Sequence, residues 1–191
     1  MATTTTTEIK NFIDGEERAP IDGQTEPVIN PATGEEIATT PLSTEADVDA
    51  AVQAAERAFV EWSETTPAER SLALLKIADA IEEAGEELAQ IESLNVGKPI
   101  EAMRDEIPVC VDNLRFFAGA ARNLEGKAAD EYMQGYTSMI RREPIGIVAG
   151  ICPWNYPLMM AVWKMGPALA AGNVQILKPA EQTPLSLLRF A

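Results

Sequence analysis

Apolar residues along the chain follow first a short-range alternation and then a three-and-four spacing, and the change of rhythm marks where helices replace strands. Ile9, Phe12 and Ile13 lead into Asp14-Gly15, a dipeptide that favours a tight turn between two strands. Val28-Ile29-Asn30-Pro31 and Glu36-Ile37-Ala38 flank Thr33-Gly34, and Pro31 and Gly34 both interrupt a helix, so a second strand-turn-strand unit is expected. Starting at Ser43 or Thr44, the residues Val48, Ala51, Val52, Ala55, Phe59 and Trp62 recur at helical spacing, with Glu45 and Asp47 at the positive end of the helix dipole. Thr66-Pro67-Ala68-Glu69 supplies an N-cap, a first-turn proline and a capping-box glutamate for a second helix running to Glu83. Gly85 breaks or kinks it, Leu88 to Leu94 continue helically, and Asn95-Val96-Gly97-Lys98-Pro99 is a stop signal. A further long helix is expected over Ile100 to Arg122, disturbed at Pro108.

After Gly126 the pattern turns extended again, with a strand expected over Tyr136 to Arg142 and a break at Pro144. Ile145 to Ile151 is an apolar run that suits a buried parallel strand. A Pro-Trp-Asn-Tyr-Pro loop follows, then an apolar helix over Leu158 to Ala171, the stop Gly172-Asn173, and a second apolar strand at Val174 to Leu177. Strand, crossover helix and strand make the smallest piece of a doubly wound α/β sheet. Thr183-Pro184 then repeats the cap-plus-proline device, and Leu185, Leu187, Leu188 and Phe190 begin a helix of two turns. Two parallel strands alone leave apolar edges open, which leads us to expect a fragment of a larger domain.

Composition narrows the chemistry. The 191 residues hold 46% apolar side chains, enough for a core, and 15 Lys plus Arg against 30 Asp plus Glu give a net charge of −15. Such a surface repels a phosphate backbone, so nucleic acid is not an expected partner. Histidine is absent, which excludes Ser-His-Asp and Cys-His catalysis within the chain and every histidine-containing zinc site. Cys110 and Cys152 are too few for a disulfide framework and are not spaced as metal ligands, so a reducing cytoplasm is the expected compartment. No run reaches the length of a membrane span, and the threonine-rich start, residues 1–8, lacks the features of a secretion signal and is expected to be a disordered tail.

Candidate chemistry gathers at the carboxyl ends of the two apolar strands, where open α/β sheets bind ligands. In Pro153-Trp154-Asn155-Tyr156-Pro157 the prolines fix an irregular loop, and Asn155 there is either an oxyanion donor or a side chain capping its own loop. Lys178 and Glu181 could hydrogen-bond adjacent ribose hydroxyls or could form an exposed ion pair of little worth. No G-x-G-x-x-G separates the first strand from the helix, so any dinucleotide must bind by another device. Cys152 adjoins the loop, yet without histidine to activate it the expected role is that of a small hydrophobe, and Cys110 is expected in the core. Met159, Met160 and Trp163 read either as a core stripe or as a lining that shares a face with Tyr156; Asp105, Glu106 and Asp112 read as a solvated face.

Ile147 to Ala180, with Pro153-Trp154-Asn155-Tyr156-Pro157, Gly166 to Asn173 and Lys178-Pro179-Ala180-Glu181, resembles the aldehyde dehydrogenase superfamily. Asn30-Pro31-Ala32-Thr33-Gly34 looks like that family's early strand-turn signature. Arg115 to Arg122 and Thr137 to Arg142 are similar to its aminoaldehyde branch, which includes betaine aldehyde and γ-aminobutyraldehyde dehydrogenases. The resemblance implies an α/β fold: the N-terminal part of the aldehyde dehydrogenase fold, β-hairpins and helices followed by an incomplete doubly wound parallel sheet. Residues 9–126 would form the hairpin and helical part of a cofactor domain, 127–144 an oligomerisation strand region, and 145–191 the first strand-helix-strand of the NAD-binding sheet. It also implies NAD as cofactor, with NADP possible, and an aldehyde as substrate, oxidised to a carboxylic acid. Asn155 would then help form the oxyanion hole for a tetrahedral thiohemiacetal, while Lys178 and Glu181 hold the adenosine ribose together with Pro179 and Ala180. Ile151, Cys152, Pro153 and Trp154 would line the cofactor, and Tyr156, Met160 and Trp163 the aldehyde passage, with Glu106 adding charge there. The segments that carry the family's catalytic cysteine and general-base glutamate have no counterpart here, so the chain alone is expected to be inactive and to work as part of a homo-oligomer or with a complementary chain. The alternative is a non-catalytic module that assembles with a full-length subunit through residues 136–142.

Overall fold

The computed structural model describes residues 7–126 and 130–191. Most of the expected disordered tail, residues 1–6, and the start of the oligomerisation region, residues 127–129, lie outside the described residues. Thr7–Glu8, expected in that tail, instead form a short strand, β1, paired in parallel with Ala38 and Thr39. β2 (Asn11–Ile13) and β3 (Glu16–Arg18) make the first hairpin, and its two-residue turn puts Asp14 at φ 62° and Gly15 at φ 75°. Two consecutive positive φ values are what the right-handed twist of a two-residue hairpin demands, and Asp-Gly tolerates them. β4 (Thr25–Ile29) and β5 (Glu36–Pro41) form the second hairpin, whose turn is held by Asn30 Oδ1 accepting from Ala32 N–H at 2.9 Å.

Helices follow where the periodicity places them. α1 (Glu45–Trp62) begins with a capping box in which Asp47 accepts from the Thr44 N–H and, from outside, from Ile21 N–H. α2 (Pro67–Glu83) has the expected Thr66/Glu69 box, and α3 (Gly85–Val96) ends on Gly97 in the left-handed region at φ 82°. α4 (Ile100–Ala121) covers the expected span and continues through Pro108. Pro108 faces solvent, where water can satisfy the carbonyl that the proline leaves without a donor. The buried faces of α2, α3 and α4 meet the later helix Pro157–Ala170 in the main core, built around Leu74, Ile81, Met103, Leu114, Leu158 and Val162.

β6 (Asp130–Met133) and β7 (Tyr136–Ser138) form a separate antiparallel ribbon. β7 ends at Ser138, paired with Asp130, and so is shorter than the expected Tyr136–Arg142 strand. Beyond it the chain is fastened differently, with Arg142 Nε donating to the Glu125 carbonyl at 2.9 Å.

β8 (Ile147–Ile151), α5 (Pro157–Ala170), β9 (Val174–Lys178) and α6 (Leu185–Phe190) complete the chain, and β8 pairs with β9 in parallel from Ile147↔Val174 to Ile151↔Lys178. Leu177 packs with Ala161 of α5, whereas Val174 borders Ala58 and Trp62 of α1. Alternate residues of β9 thus face helices on opposite sides, the layering of a doubly wound sheet. Gly172, which joins α5 to β9, has φ 84°, and a Cβ there would lie 2.8 Å from Pro144 and 3.0 Å from Arg70, so only glycine fits.

Candidate functional site

Both candidate loops leave the same end of the β8/β9 pair, since strands in parallel register deliver their carboxyl ends together. Backbone and side chain then tie them. Cys152 N–H donates to the Lys178 carbonyl at 2.9 Å, and the Thr183 hydroxyl donates to the Trp154 carbonyl at 3.1 Å. Pro153–Tyr156 and Lys178–Glu181 therefore form one surface rather than two independent loops.

Asn155 sits half-buried at the centre of the first loop, and its side chain takes no hydrogen bond among the described residues. That sets it apart from Asn30, Asn95 and Asn173, whose side chains all bond backbone groups. The loop-capping reading of Asn155 loses its basis, and a neutral amide with free N–H groups is left at the loop. Trp154 is 60% exposed and Ile151 73% exposed beside it. The Cys152 side chain turns the other way, 2% exposed against Ala161 and Leu187, where burial pushes its thiol above the usual range. Cys110 lies deeper in the main core, its thiol pushed up to about 12 by burial with the nearby Glu92 and Glu106 carboxylates adding to the shift. Neither thiol has the environment of a nucleophile.

On the second loop the Lys178 ammonium hydrogen-bonds the Glu181 carboxylate, each about half exposed, and that bond holds Glu181 below the usual carboxylate range. Pro179 and the buried Ala180 shape the turn between them. Tyr156, at the N-cap of α5, continues the stripe that Met160 and Trp163 form on the helix, partly buried to 46% exposed, opposite the core residues Leu158, Ala161, Val162 and Met165. The core reading fits Met159, which packs against the cluster, and does not fit Trp163. Lys98 Nζ stands 3.2 Å from the centroid of the Tyr156 ring and 2.8 Å from Glu106 Oε1. Glu106 is thus a paired carboxylate rather than a free charge on a solvated face, while Asp105 and Asp112 are exposed as expected.

Sequence reasoning missed the groups that hold this surface in place. Glu92 and Asn95 of α3, both 3% exposed, reach the first amides of α5 and α6. Their signal was present: they share the buried face of α3 with Leu88 and Ala89, a polar pair at helical spacing on an apolar stripe. Among the described residues no group of three or more His, Cys, Asp or Glu could hold a metal ion, and no helix is long and apolar enough to cross a membrane.

The aldehyde dehydrogenase family pattern matches residues 19–191. The chain is 48% identical over 181 residues to a fluoroacetaldehyde dehydrogenase of Streptantibioticus cattleyicolor, covering 93% of itself and 35% of that protein. Among solved structures, an NAD+ complex of an aldehyde dehydrogenase from Bacillus cereus superposes with a TM-score of 0.91 at 48% identity, over 96% of this chain and 38% of that one. A betaine aldehyde dehydrogenase variant of Staphylococcus aureus, also in complex with NAD+, matches with a TM-score of 0.91 at 38% identity, over 95% and 36% of the two chains. The chain therefore spans little more than a third of the length of these relatives, and over that span its sequence and its fold place it in the aldehyde dehydrogenase family.

Proposed function

We propose that this chain supplies the NAD+-binding part of an aldehyde dehydrogenase and one arm of its oxyanion hole. The carrying observation is the paired loop surface at the carboxyl ends of β8 and β9, with the unengaged Asn155 amide on one loop and the Lys178–Glu181 pair on the other. Lys178 can donate to, and Glu181 accept from, neighbouring hydroxyls of a ribose, so the residues present fit the adenosine end of the dinucleotide. Glu181, held below the usual carboxylate range by Lys178, is ionised at neutral pH, so a 2′-phosphate would meet a carboxylate, which favours NAD+ over NADP+. Bound NAD+ supplies the hydride acceptor. Exposed Ile151, Pro153 and Trp154 offer the cofactor an apolar wall, to which Cys152 contributes backbone alone. Asn155 donates amide N–H bonds to the oxygen that becomes negative when a nucleophile adds to the aldehyde; a neutral donor stabilises that charge without giving up a proton. The nucleophile and the general base of that reaction lie outside these residues.

Tyr156, Met160 and Trp163 form the wall we assign to the aldehyde. The aminoaldehyde class would place a cation on the Tyr156 ring, yet one face of that ring already carries Lys98. Small uncharged aldehydes are therefore the favoured substrates, in line with the relative named for fluoroacetaldehyde. A second reading, assembly with another polypeptide through the β6–β7 ribbon, is favoured by the exposed Tyr132, Met133, Tyr136 and Met139. Co-sedimentation with a full-length relative tests it, and failure to co-migrate rejects it.

Titrating the chain with NAD+ and NADP+ while following tryptophan emission tests the cofactor assignment. Quenching by NAD+ that is weaker with NADP+ and weakened further in K178A is expected; an unresponsive parent chain rejects the assignment. Aldehyde-dependent NADH formation by the chain alone would overturn the placement of the nucleophile elsewhere.

A further inference from the structure

α5 starts where the Asn155 loop ends, and its own sequence stabilises neither terminus. Its first turn holds no acidic residue, its last turn no basic one, and Tyr156 at the N-cap makes no side-chain cap bond. Both charges arrive from other helices. Glu92 of α3 accepts from the Leu158 N–H at 3.0 Å and from the Ser186 hydroxyl of α6 at 2.5 Å, both through Oε1. At the far end Arg70 of α2 donates to the Ala170 carbonyl at 3.1 Å. A carboxylate at the start and a guanidinium at the finish both complement the helix dipole.

We infer that Glu92 is a positioning residue for the Pro153–Pro157 loop: it fixes the first residues of α5, joins them to α6, and so sets the point from which Asn155 presents its amide. Pro157 has no N–H, which makes Leu158 the first residue of α5 with an orphan donor, and Glu92 is its partner. The loop is then fastened at three points: Cys152 N–H on the Lys178 carbonyl, the Trp154 carbonyl on the Thr183 hydroxyl, and Leu158 N–H on Glu92. Two prolines restrict what lies between. One turn along α3, Asn95 repeats the device for the second loop, accepting from Leu185 N–H at 3.2 Å and donating to the Gln182 carbonyl at 2.9 Å. A single helix therefore holds the starts of both α5 and α6, each of which follows a candidate binding loop. An apolar side chain could fill the Glu92 site without the penalty of burying a carboxylate, but it could not bond Leu158 and Ser186 at once. Only the chemical meaning of Asn155's position rests on the proposed function; the position itself does not.

Residue-resolved amide hydrogen exchange on the whole chain, with neither NAD+ nor aldehyde present, tests this and is blind to whether the cofactor assignment holds. In E92A the Leu158 amide is expected to exchange about tenfold faster or more, with a shift of the Asn155 side-chain amide resonances. E92Q keeps an acceptor oxygen and is expected to restore both. Amides of Leu74 and Leu114 in the same spectra report that α2 and α4 remain folded. Unchanged Leu158 exchange or unmoved Asn155 resonances in E92A would overturn the inference, and so would an E92Q variant as perturbed as E92A. Should E92A not fold, S186A removes one of the two donors that hold the carboxylate. Faster Leu158 exchange and displaced Asn155 resonances, by a smaller factor, are then expected, and no change in either overturns the inference.

Discussion

Replacing Arg70 with methionine isolates the other end of α5. The last carbonyls of a helix lack intrahelical donors, and here each finds one: Pro167 from Ala171 N–H at 3.1 Å, Ala168 from Asn173 N–H at 2.9 Å, Leu169 from Gly172 N–H at 3.0 Å, and Ala170, among the described residues, from Arg70 alone at 3.1 Å. The same guanidinium donates to the Thr65 carbonyl at 2.7 Å, just before the Thr66 cap of α2, and is only 9% exposed. Hydrogen bonds from a charged donor contribute roughly 1.5–3 kcal/mol each, and the helix-terminal charge adds up to ~2 kcal/mol. Methionine returns part of this by burying an apolar chain of similar length, roughly 1.5–3 kcal/mol. A net loss of about 3 kcal/mol is expected, which for a chain of this size lowers the melting midpoint by roughly 6–12 °C. R70K keeps the charge but lacks the planar fork that spans the Ala170 and Thr65 carbonyls, so it should fall between parent and R70M. Urea and thermal unfolding followed by far-ultraviolet circular dichroism provide the numbers. An R70M midpoint within about 2 °C of the parent would refute the claim that α5 depends on this external charge.

Three further outcomes are open to direct measurement. Both thiols are buried and raised, so Cys110 and Cys152 should resist a disulfide reagent at pH 8 until the chain unfolds; prompt native labelling of Cys152 would contradict its placement against Ala161 and Leu187. Burial raises the Glu92 carboxyl above 4.5, with Glu106 adding to the shift and Ser186, Leu158 and Lys98 opposing it. Its contribution to stability is then fully present below pH 4.5 and is lost as pH rises through the folded value, so the stability of the parent relative to E92Q should fall with rising pH. A difference that grows with pH would reverse the sign and reject this reasoning. Glu86 behaves oppositely: hydrogen bonds from Arg104 and then Gln90 lower its carboxyl to about 2, so its contribution persists above 4.5 and is lost as pH falls towards 2. Carbon-detected titration should find that midpoint, and R104A should return it towards 4.5.

What the sequence made legible was set by contacts close along the chain. The Asp14-Gly15 turn, the Thr66/Glu69 capping box and the Gly97 stop each depend on residues within one turn of each other, and each is found where the residues stand. Asn155, Lys178 and Glu181 were nameable because a loop at a parallel strand's carboxyl end is a local feature. The groups that fix the site were hidden because their partners are remote, 66 residues from Glu92 to Leu158, 94 to Ser186 and 100 from Arg70 to Ala170. α5 read alone is an apolar helix without charges to complement its dipole, which is a local inconsistency. The inconsistency is itself informative: a helix with bare ends beside a candidate ligand loop requires its charges from other elements. The buried faces of neighbouring helices, where Glu92 and Arg70 interrupt apolar stripes, are where those charges are found.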